Sequence, residues 1–114
     1  MTTTLNSFVS ESQLGLTEDA LITCGSSEKK FIGKMTATNT SAANVEVTFW
    51  RIATATTGTT GSGGNWAVVK TIPTGATVEI YELEGQVIDN SMKLSGLASA
   101  ASVVNIGVSG TTES

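Results

Sequence analysis

The sequence predicts an all-β protein, an antiparallel β-sandwich of jelly-roll or immunoglobulin-like type with about seven to eight strands and an extended N-terminal arm. Short runs of alternating apolar and polar residues recur along the chain, with Gly, Pro, Asn and Ser between them. The chain contains 12 Gly among many Thr and Ser, and 14% of its residues are charged, whereas helical proteins use more Glu, Lys, Leu and Arg. Its 114 residues are enough to bury one core without a metal or a disulfide.

The candidate strands are joined by recognisable turns. Pro73 followed by Gly75 between two apolar runs is typical turn chemistry. Ala100 and Ala101 mark a tight turn that is expected to join the last two strands as a hairpin. The connection at 53–65 is longer than a usual hairpin loop. The predicted strands are residues 16–24, 29–39, 44–52, 65–72, 76–83, 91–99 and 102–110.

Alternation within the strands predicts their buried faces. Trp50 and Ile52 have the opposite parity to the inward residues of their strand, so they are expected to point away from the core. Glu82 falls on an inward position, which predicts a bulge or a strand end there rather than a buried acid. The residues expected to face the core from the central strands are Phe31, Met35, Ala37, Val45, Val47, Phe49, Val78 and Ile80.

The last strand, residues 102–110, has a branched face and a small face. Its outward small residues allow another backbone to approach closely, either within the sandwich or from a partner, and the sequence leaves both alternatives open. The inward residues are Val104, Ile106 and Val108, and the outward residues are Asn105, Gly107 and Ser109.

Composition excludes several classes of function. The formal net charge is −4 and the chain has 6 Lys and Arg, too few to neutralise a nucleic-acid backbone. Because the chain has no His, the usual Ser/His/Asp and Cys/His catalytic groups are absent. The N-terminus lacks the basic and apolar regions of a signal peptide, and no apolar run is long enough to span a membrane. We therefore expect a non-enzymatic protein that folds in a cytoplasm and binds neither nucleic acid nor membrane.

No residue group has the spacing of a metal or cofactor site. Cys24 is the sole cysteine and is expected to be a small buried hydrophobic residue on a strand. Glu82, Glu84 and Asp89 lack the spacing of a known Ca²⁺ loop, which favours a solvated strand end over a Ca²⁺ site. The Gly-rich residues 58–64 lack the Lys and the following helix that phosphate binding requires. We expect no cofactor and no metal.

Residues 1–14 are predicted to be an N-terminal arm outside the sandwich domain, which then comprises residues 15–114. Leu5, Phe8 and Val9 are isolated apolar residues in this polar segment. The segment is either a disordered tail or an arm that docks on a neighbouring subunit. In both cases a chain that lacks it is expected to fold.

Aromatic residues flank the long loop at 53–65. The loop is either a mobile surface loop or, together with Trp50, Ile52 and Trp66, part of a contact patch. The candidate interaction residues of the whole chain are Leu5, Phe8, Val9, Trp50, Trp66 and Asn105.

The order of these features resembles small structural proteins of tailed bacteriophages, which include capsid decoration (cement) proteins and neck or tail accessory proteins. The resemblance covers residues 16–110. Its most specific pieces are a strand that closes on Asn39 and Thr40, the sequence IPTGA at 72–76 and the sequence LASAASVVN at 97–105. The Gly-rich loop at 53–65 and residues 1–14 depart from the pattern.

The resemblance implies a virion component made in the cytoplasm of a host bacterium. Its first implied function is capsid decoration, in which the protein binds the major capsid protein and self-associates as a homotrimer. A neck, tail or fibre adaptor bound to other virion proteins is the second. A receptor-binding or glycan-binding module, with Trp50, Trp66 and Tyr81 as stacking platforms, is the third.

Overall fold

The protein is a two-sheet β-sandwich. The computed structural model describes residues 3–16, 19–25, 27–52, 66–89 and 92–113, and within these ranges it has nine strands and no helix, hence none that could cross a membrane. The all-β prediction is confirmed. The strands are β1 (Thr3–Gln13), β2 (Asp19–Thr23), β3 (Lys29–Asn39), β4 (Val45–Ile52), β5 (Trp66–Ile72), β6 (Thr77–Glu79), β7 (Val87–Ile88), β8 (Lys93–Ala98) and β9 (Val104–Glu113).

The strand order is that of a jelly roll. One sheet has five strands in the order β1-β9-β3-β6, with β7 also paired to β3, and the other has four strands in the order β2-β8-β4-β5. Since β6 and β7 pair with successive parts of β3, they form two halves of one edge. Apart from the β4–β5 connection and the step from β6 to β7, each connection passes from one sheet to the other. This winding of eight strand positions over two antiparallel sheets defines the jelly roll.

Two turns found in the sequence connect different sheets and do not form hairpins. The turn at 73–75 forms, with Gly75 at a φ of +68° and a 3.1 Å hydrogen bond from Ala76 N to Pro73 O. It leads from β5 in one sheet to β6 in the other. The turn around Ala100 and Ala101 likewise joins β8 to β9 across the sandwich, so the predicted final hairpin is wrong. A hairpin and a crossing between sheets have the same turn residues and the same alternation, because the strands bury the same faces in either arrangement.

The core lies between the two sheets, and β3 departs from its predicted alternation. Met35 and Ala37 are buried as predicted, but Phe31 is 43% exposed and Ile32 takes the inward position. The pairing of β3 with β9 shifts register between Ile32 and Lys34, and this bulge reverses the parity of the first part of the strand. The inward prediction for Phe31 is therefore wrong. Val78, also predicted to face the core, is half-buried against it. The remaining core residues predicted from the central and last strands are buried, namely Val45, Val47, Phe49, Ile80, Val104, Ile106 and Val108.

The N-terminal segment differs from the expected arm. Strand β1 pairs with β9 of the same chain from Thr3 to Gln13, and Leu14, which follows it, is buried in the core. Leu14 N donates a 3.0 Å hydrogen bond to Val104 O. The segment therefore completes an edge of the five-stranded sheet, because β9 would otherwise leave a row of backbone groups unpaired. Its removal would uncover β9 and leave a cavity at Leu14, in contrast to the separable arm expected from the sequence.

Asn39 anchors one end of the sandwich. Its fully buried side chain donates hydrogen bonds from Nδ2 to Ala43 O at 2.8 Å and to Ile72 O at 2.9 Å. Its Oδ1 accepts hydrogen bonds from Ser41 N at 2.9 Å and from Ser41 Oγ at 2.8 Å. One carboxamide therefore ties the β3–β4 connection to the end of β5 and leaves none of its own groups unpaired.

The segments at 39–40, 72–76 and 97–105 meet at this end. Thr40 N donates to Val103 O at 2.8 Å, and Ser99 N donates to Glu46 O at 2.8 Å. Glu46 N returns a 3.0 Å hydrogen bond to Ser99 Oγ. The pieces of sequence at 39–40, 72–76 and 97–105 thus serve to close the connections between the two sheets.

Substitution of Asn39 by Ala is expected to lower the free energy of unfolding by about 2–4 kcal/mol, because it leaves buried backbone groups without partners. Urea denaturation measures the change. Asn44→Ala is the matched control, since exposed Asn44 accepts a single 3.2 Å hydrogen bond from Thr74 N. Equal losses for the two variants would contradict this role of Asn39.

The close approach of backbones in the last strand occurs at Gly110. A Cβ atom on Gly110 would overlap the carbonyl oxygen of Phe31, whereas a Cβ on Gly107 would lie 3.5 Å from Thr36 Oγ1, an ordinary contact. The small residue is therefore required within the sheet, where β9 passes the bulge of β3. Gly110 has the parity of the inward residues, so this close approach does not decide between the two alternatives for the outward face of Asn105, Gly107 and Ser109.

Gly110→Ala is expected to lower the free energy of unfolding by about 1–3 kcal/mol, because β3 and β9 must move apart. Gly107→Ala is the control and is expected to change it by about 0.5 kcal/mol or less. Thermal or urea unfolding checks both values, and a tolerated Gly110→Ala would show that the two strands separate readily.

Candidate interaction surface

Apolar side chains form one row across the outer face of the five-stranded sheet. Leu5 on β1 is the register partner of Thr111 on β9, Thr111 is the partner of Phe31 on β3, and Phe31 is the partner of Val87 on β7. Leu5 is 84% exposed, Phe31 is 43% exposed and Val87 is 39% exposed. These four residues, Leu5, Thr111, Phe31 and Val87, are called the outer row below. Each is the direct cross-strand neighbour of the next, so the row places three exposed apolar side chains on one face, with Thr111 between Leu5 and Phe31.

The outer row lies between polar rows on the same face. Glu113 and Lys29 are register partners on one side of it, and Ser109 and Lys34 are partners on the other. Lys34 Nζ also lies 3.5 Å from a carboxylate oxygen of Glu79. An apolar centre with a polar border is the usual composition of a protein–protein contact surface.

Shallow depressions flank Phe31 on both sides. One has a volume of about 430 Å³ and is lined by Leu5, Gly33 and Gly110 as well as Phe31. The other has a volume of about 230 Å³ and is lined by Phe31 and Val87. Phe31 thus borders both hollows, which an opposing surface can fill.

Leu5 is the one sequence-predicted contact residue that belongs to the outer row. Phe8 is half-buried against the core, with Lys30 Nζ 6.0 Å from its ring centroid. Lys30 Nζ also donates a 2.9 Å hydrogen bond to Thr23 O on the other sheet, so Phe8 helps to close the edge of its own domain. Val9 pairs through its backbone with Val108, and its side chain lies outside the described residues.

The remaining candidates lie elsewhere. Asn105 is half-buried on the outer face of β9, about 20 Å along the strand from Thr111. Trp50 is half-buried on the outer face of the other sheet, beside its register partner Ser95, which is fully buried with no hydrogen-bond partner for its Oγ among the described residues. The side chain of Trp66 and the loop at 53–65 lie outside the described residues. Exposed Tyr81 follows β6 and borders a depression with Lys70 and Thr71, so it lies at the side of the sandwich next to β5 of the other sheet.

The acidic residues of 82–89 have structural partners. Glu82 forms an ion pair with Lys70 at 3.0 Å, and its pKa is lowered by a hydrogen bond from its own backbone N–H and by Lys70. Glu84 Oε2 accepts a 3.1 Å hydrogen bond from Met35 N beside the bulge of β3. Within the described ranges, no group of three or more Cys, Asp or Glu side chains is placed to hold a metal ion.

Sequence reasoning missed Phe31 and Val87 as surface residues. Alternation counted from Met35 assigns Phe31 to the core. The sequence Phe31-Ile32-Gly33 contained the corrective signal, because a Gly inside a strand often marks a bulge. Val87 belongs to a strand of two residues, β7, which is too short to show a pattern.

Cys24 is buried, as the sequence predicts, and follows the last residue of β2. Its Sγ donates a 3.0 Å hydrogen bond to Ile88 O, and burial raises the pKa of the thiol above its ordinary value of 9.0. A raised pKa means that the thiol contributes stability below its unfolded pKa, and that this contribution is lost as pH rises toward the folded pKa.

Cys24→Ala is therefore expected to lower the free energy of unfolding by about 1 kcal/mol or slightly more at pH 7, through lost packing. The difference between the natural chain and the variant should shrink when urea unfolding is repeated above pH 9. An unchanged difference would contradict the burial of a protonated thiol.

Comparison with known proteins assigns the chain to no family. No family model matches the chain, and no curated protein matches its sequence. A structural match to a chain from the "Structure of infectious bursal disease virus Gt strain" has 14% sequence identity and a TM-score of 0.40. The match covers 97% of this chain and 30% of the viral chain, so this protein spans less than a third of its length.

Proposed function

We propose that this protein is a non-enzymatic structural component of a tailed-bacteriophage virion, a capsid decoration protein that binds the assembled head and stabilises it. The outer row carries the proposal. Leu5, Phe31 and Val87 are exposed in one row across the outer face of the sheet, with a polar border on both sides. Exposed apolar side chains grouped on one face in this way mark contact surfaces.

The chemistry of the outer row suits a permanent contact. The row itself has no charged member, and the neighbouring charges Lys34 and Glu79 already form an ion pair within the chain. Such a surface gains its affinity from burial of Phe31 and Leu5 rather than from long-range attraction, which is appropriate for packing on a capsid lattice. The partner in this proposal is the major capsid protein, and the protein reaches the virion after synthesis in the host cytoplasm. The sequence resemblance implies a homotrimer, an oligomeric state that the sedimentation experiment below tests against a dimer.

A neck, tail or fibre adaptor would use the same surface at fewer copies per particle. Gel densitometry of purified particles separates the two functions, because a decoration protein should approach the copy number of the major capsid protein or a simple fraction of it. A few copies per particle would favour the adaptor.

The outer row is tested with Phe31→Ser and capsids that lack this protein. Because Phe31 is solvent-facing, the variant should fold. In a co-sedimentation assay we expect the protein concentration that saturates capsids to rise about tenfold or more. Tyr81→Ser is the control, since Tyr81 is 66% exposed away from the row. If the natural chain fails to bind capsids, the proposed function is wrong. If Phe31→Ser saturates them like the natural chain, the proposed surface is wrong.

A further inference from the structure

Strand β1 leaves one of its backbone edges unpaired. It lies at the end of the five-stranded sheet, with β9 on one side and no strand among the described residues on the other. Residues 3–7 pair with β9 residue for residue, from Thr3 with Glu113 to Ser7 with Ser109. The register shifts begin after Ser7, so this first part of the edge is regular.

This edge lacks the features by which proteins protect free strands. Residues 3–7 contain no Lys, no Pro and no charge, and their regular register contains no bulge. At their centre stands Leu5, which is 84% exposed. An unprotected edge with an exposed apolar residue is a template for pairing with another strand.

The other edges in the described part of the chain are less suited to pairing. Strand β2 contains Asp19 and a register shift, and β6 and β7 have three and two residues. Strand β5 is longer, but its Lys70 is bound to Glu82 across the open side of the sandwich. The regular part of β1 is thus the best edge for strand addition.

The composition of residues 3–7 fits a second copy of the same strand. In an antiparallel pair centred on Leu5, Leu5 faces its own copy, Thr4 faces Asn6, and Thr3 faces Ser7. The segment has no charge, so the pairing opposes no like charges near the two-fold axis. Pairing also places the outer rows of two copies end to end, with the two Leu5 side chains in contact where the rows meet.

We propose that two copies of this protein pair through their β1 edges, antiparallel and around a two-fold axis at Leu5, to form one continuous sheet. The two Leu5 Cα atoms would lie about 4.5–5.5 Å apart, the spacing of opposed residues in an antiparallel ladder. The pairing is a property of the isolated chain and does not rest on the proposed function. It predicts a dimer in place of the homotrimer implied by the sequence resemblance.

Sedimentation equilibrium of the purified chain over a range of concentrations up to about 1 mM tests the pairing. We expect a monomer–dimer equilibrium, and we expect Leu5→Lys to raise the dissociation constant about tenfold or more, because it removes the apolar contact and opposes two charges. Val69→Lys is the matched control, since Val69 is exposed on edge strand β5, and it should leave the constant unchanged. A monomer at every concentration, a trimer, or equal effects of the two variants would overturn the proposal.

Cross-linking tests the register. Leu5→Cys should form a disulfide-linked dimer on mild oxidation, because the expected Cα separation lies within the range that a disulfide spans. Val69→Cys controls for random collision, and native Cys24 is buried. If Leu5→Cys cross-links no faster than Val69→Cys, the two-fold contact at Leu5 is wrong.

Discussion

The buried carboxamide of Asn39 is the interaction on which the two-sheet arrangement depends. A jelly roll sends most of its connections from one sheet to the other, and the backbone groups at those crossings have no ladder to join. Asn39 supplies partners to Ala43, Ile72 and Ser41 at once, at distances of 2.8–2.9 Å. Asn suits this position because its Nδ2 donates two hydrogen bonds and its Oδ1 accepts two, whereas an Asp side chain would have no N–H to donate.

Strand β3 runs from Asn39 through the middle of the five-stranded sheet to the bulge at Gly33. This bulge determines which side chains of β3 are exposed on the outer face. The bulge turns Ile32 into the core and Phe31 out to solvent, while Gly110 lets β9 pass close to it. Glu84 supports the same region by accepting a hydrogen bond from Met35 N. The exposed Phe31 is therefore held by backbone geometry, so its orientation is fixed before any partner arrives.

Sequence reasoning located seven of the nine described strands, missed β1 and β7, extended β6 to residue 83 where it ends at Glu79, and predicted the strand partners poorly. The bounds 29–39 match β3, and alternation identified Phe49 and Ile106 as core residues, because burial of one face imposes a period of two. Sheet membership leaves no such trace, which is why the last two strands were expected to pair. Strand β1 forms because β9 has a free edge far away in the sequence, and the polar composition of β1 gives no sign of this. The outer row could not be predicted from the sequence either, because its four members come from four different strands.

The central claim is that the outer face of the five-stranded sheet is the surface by which this protein binds its partner. Hydroxyl-radical footprinting of the protein, free in solution and mixed with the phage capsids of the proposed function, tests this claim most directly. We expect Phe31 and Leu5 to lose reactivity in the presence of capsids, while Tyr81, on a different part of the surface, keeps it. Unchanged reactivity of Phe31 together with protection of Tyr81 would contradict it.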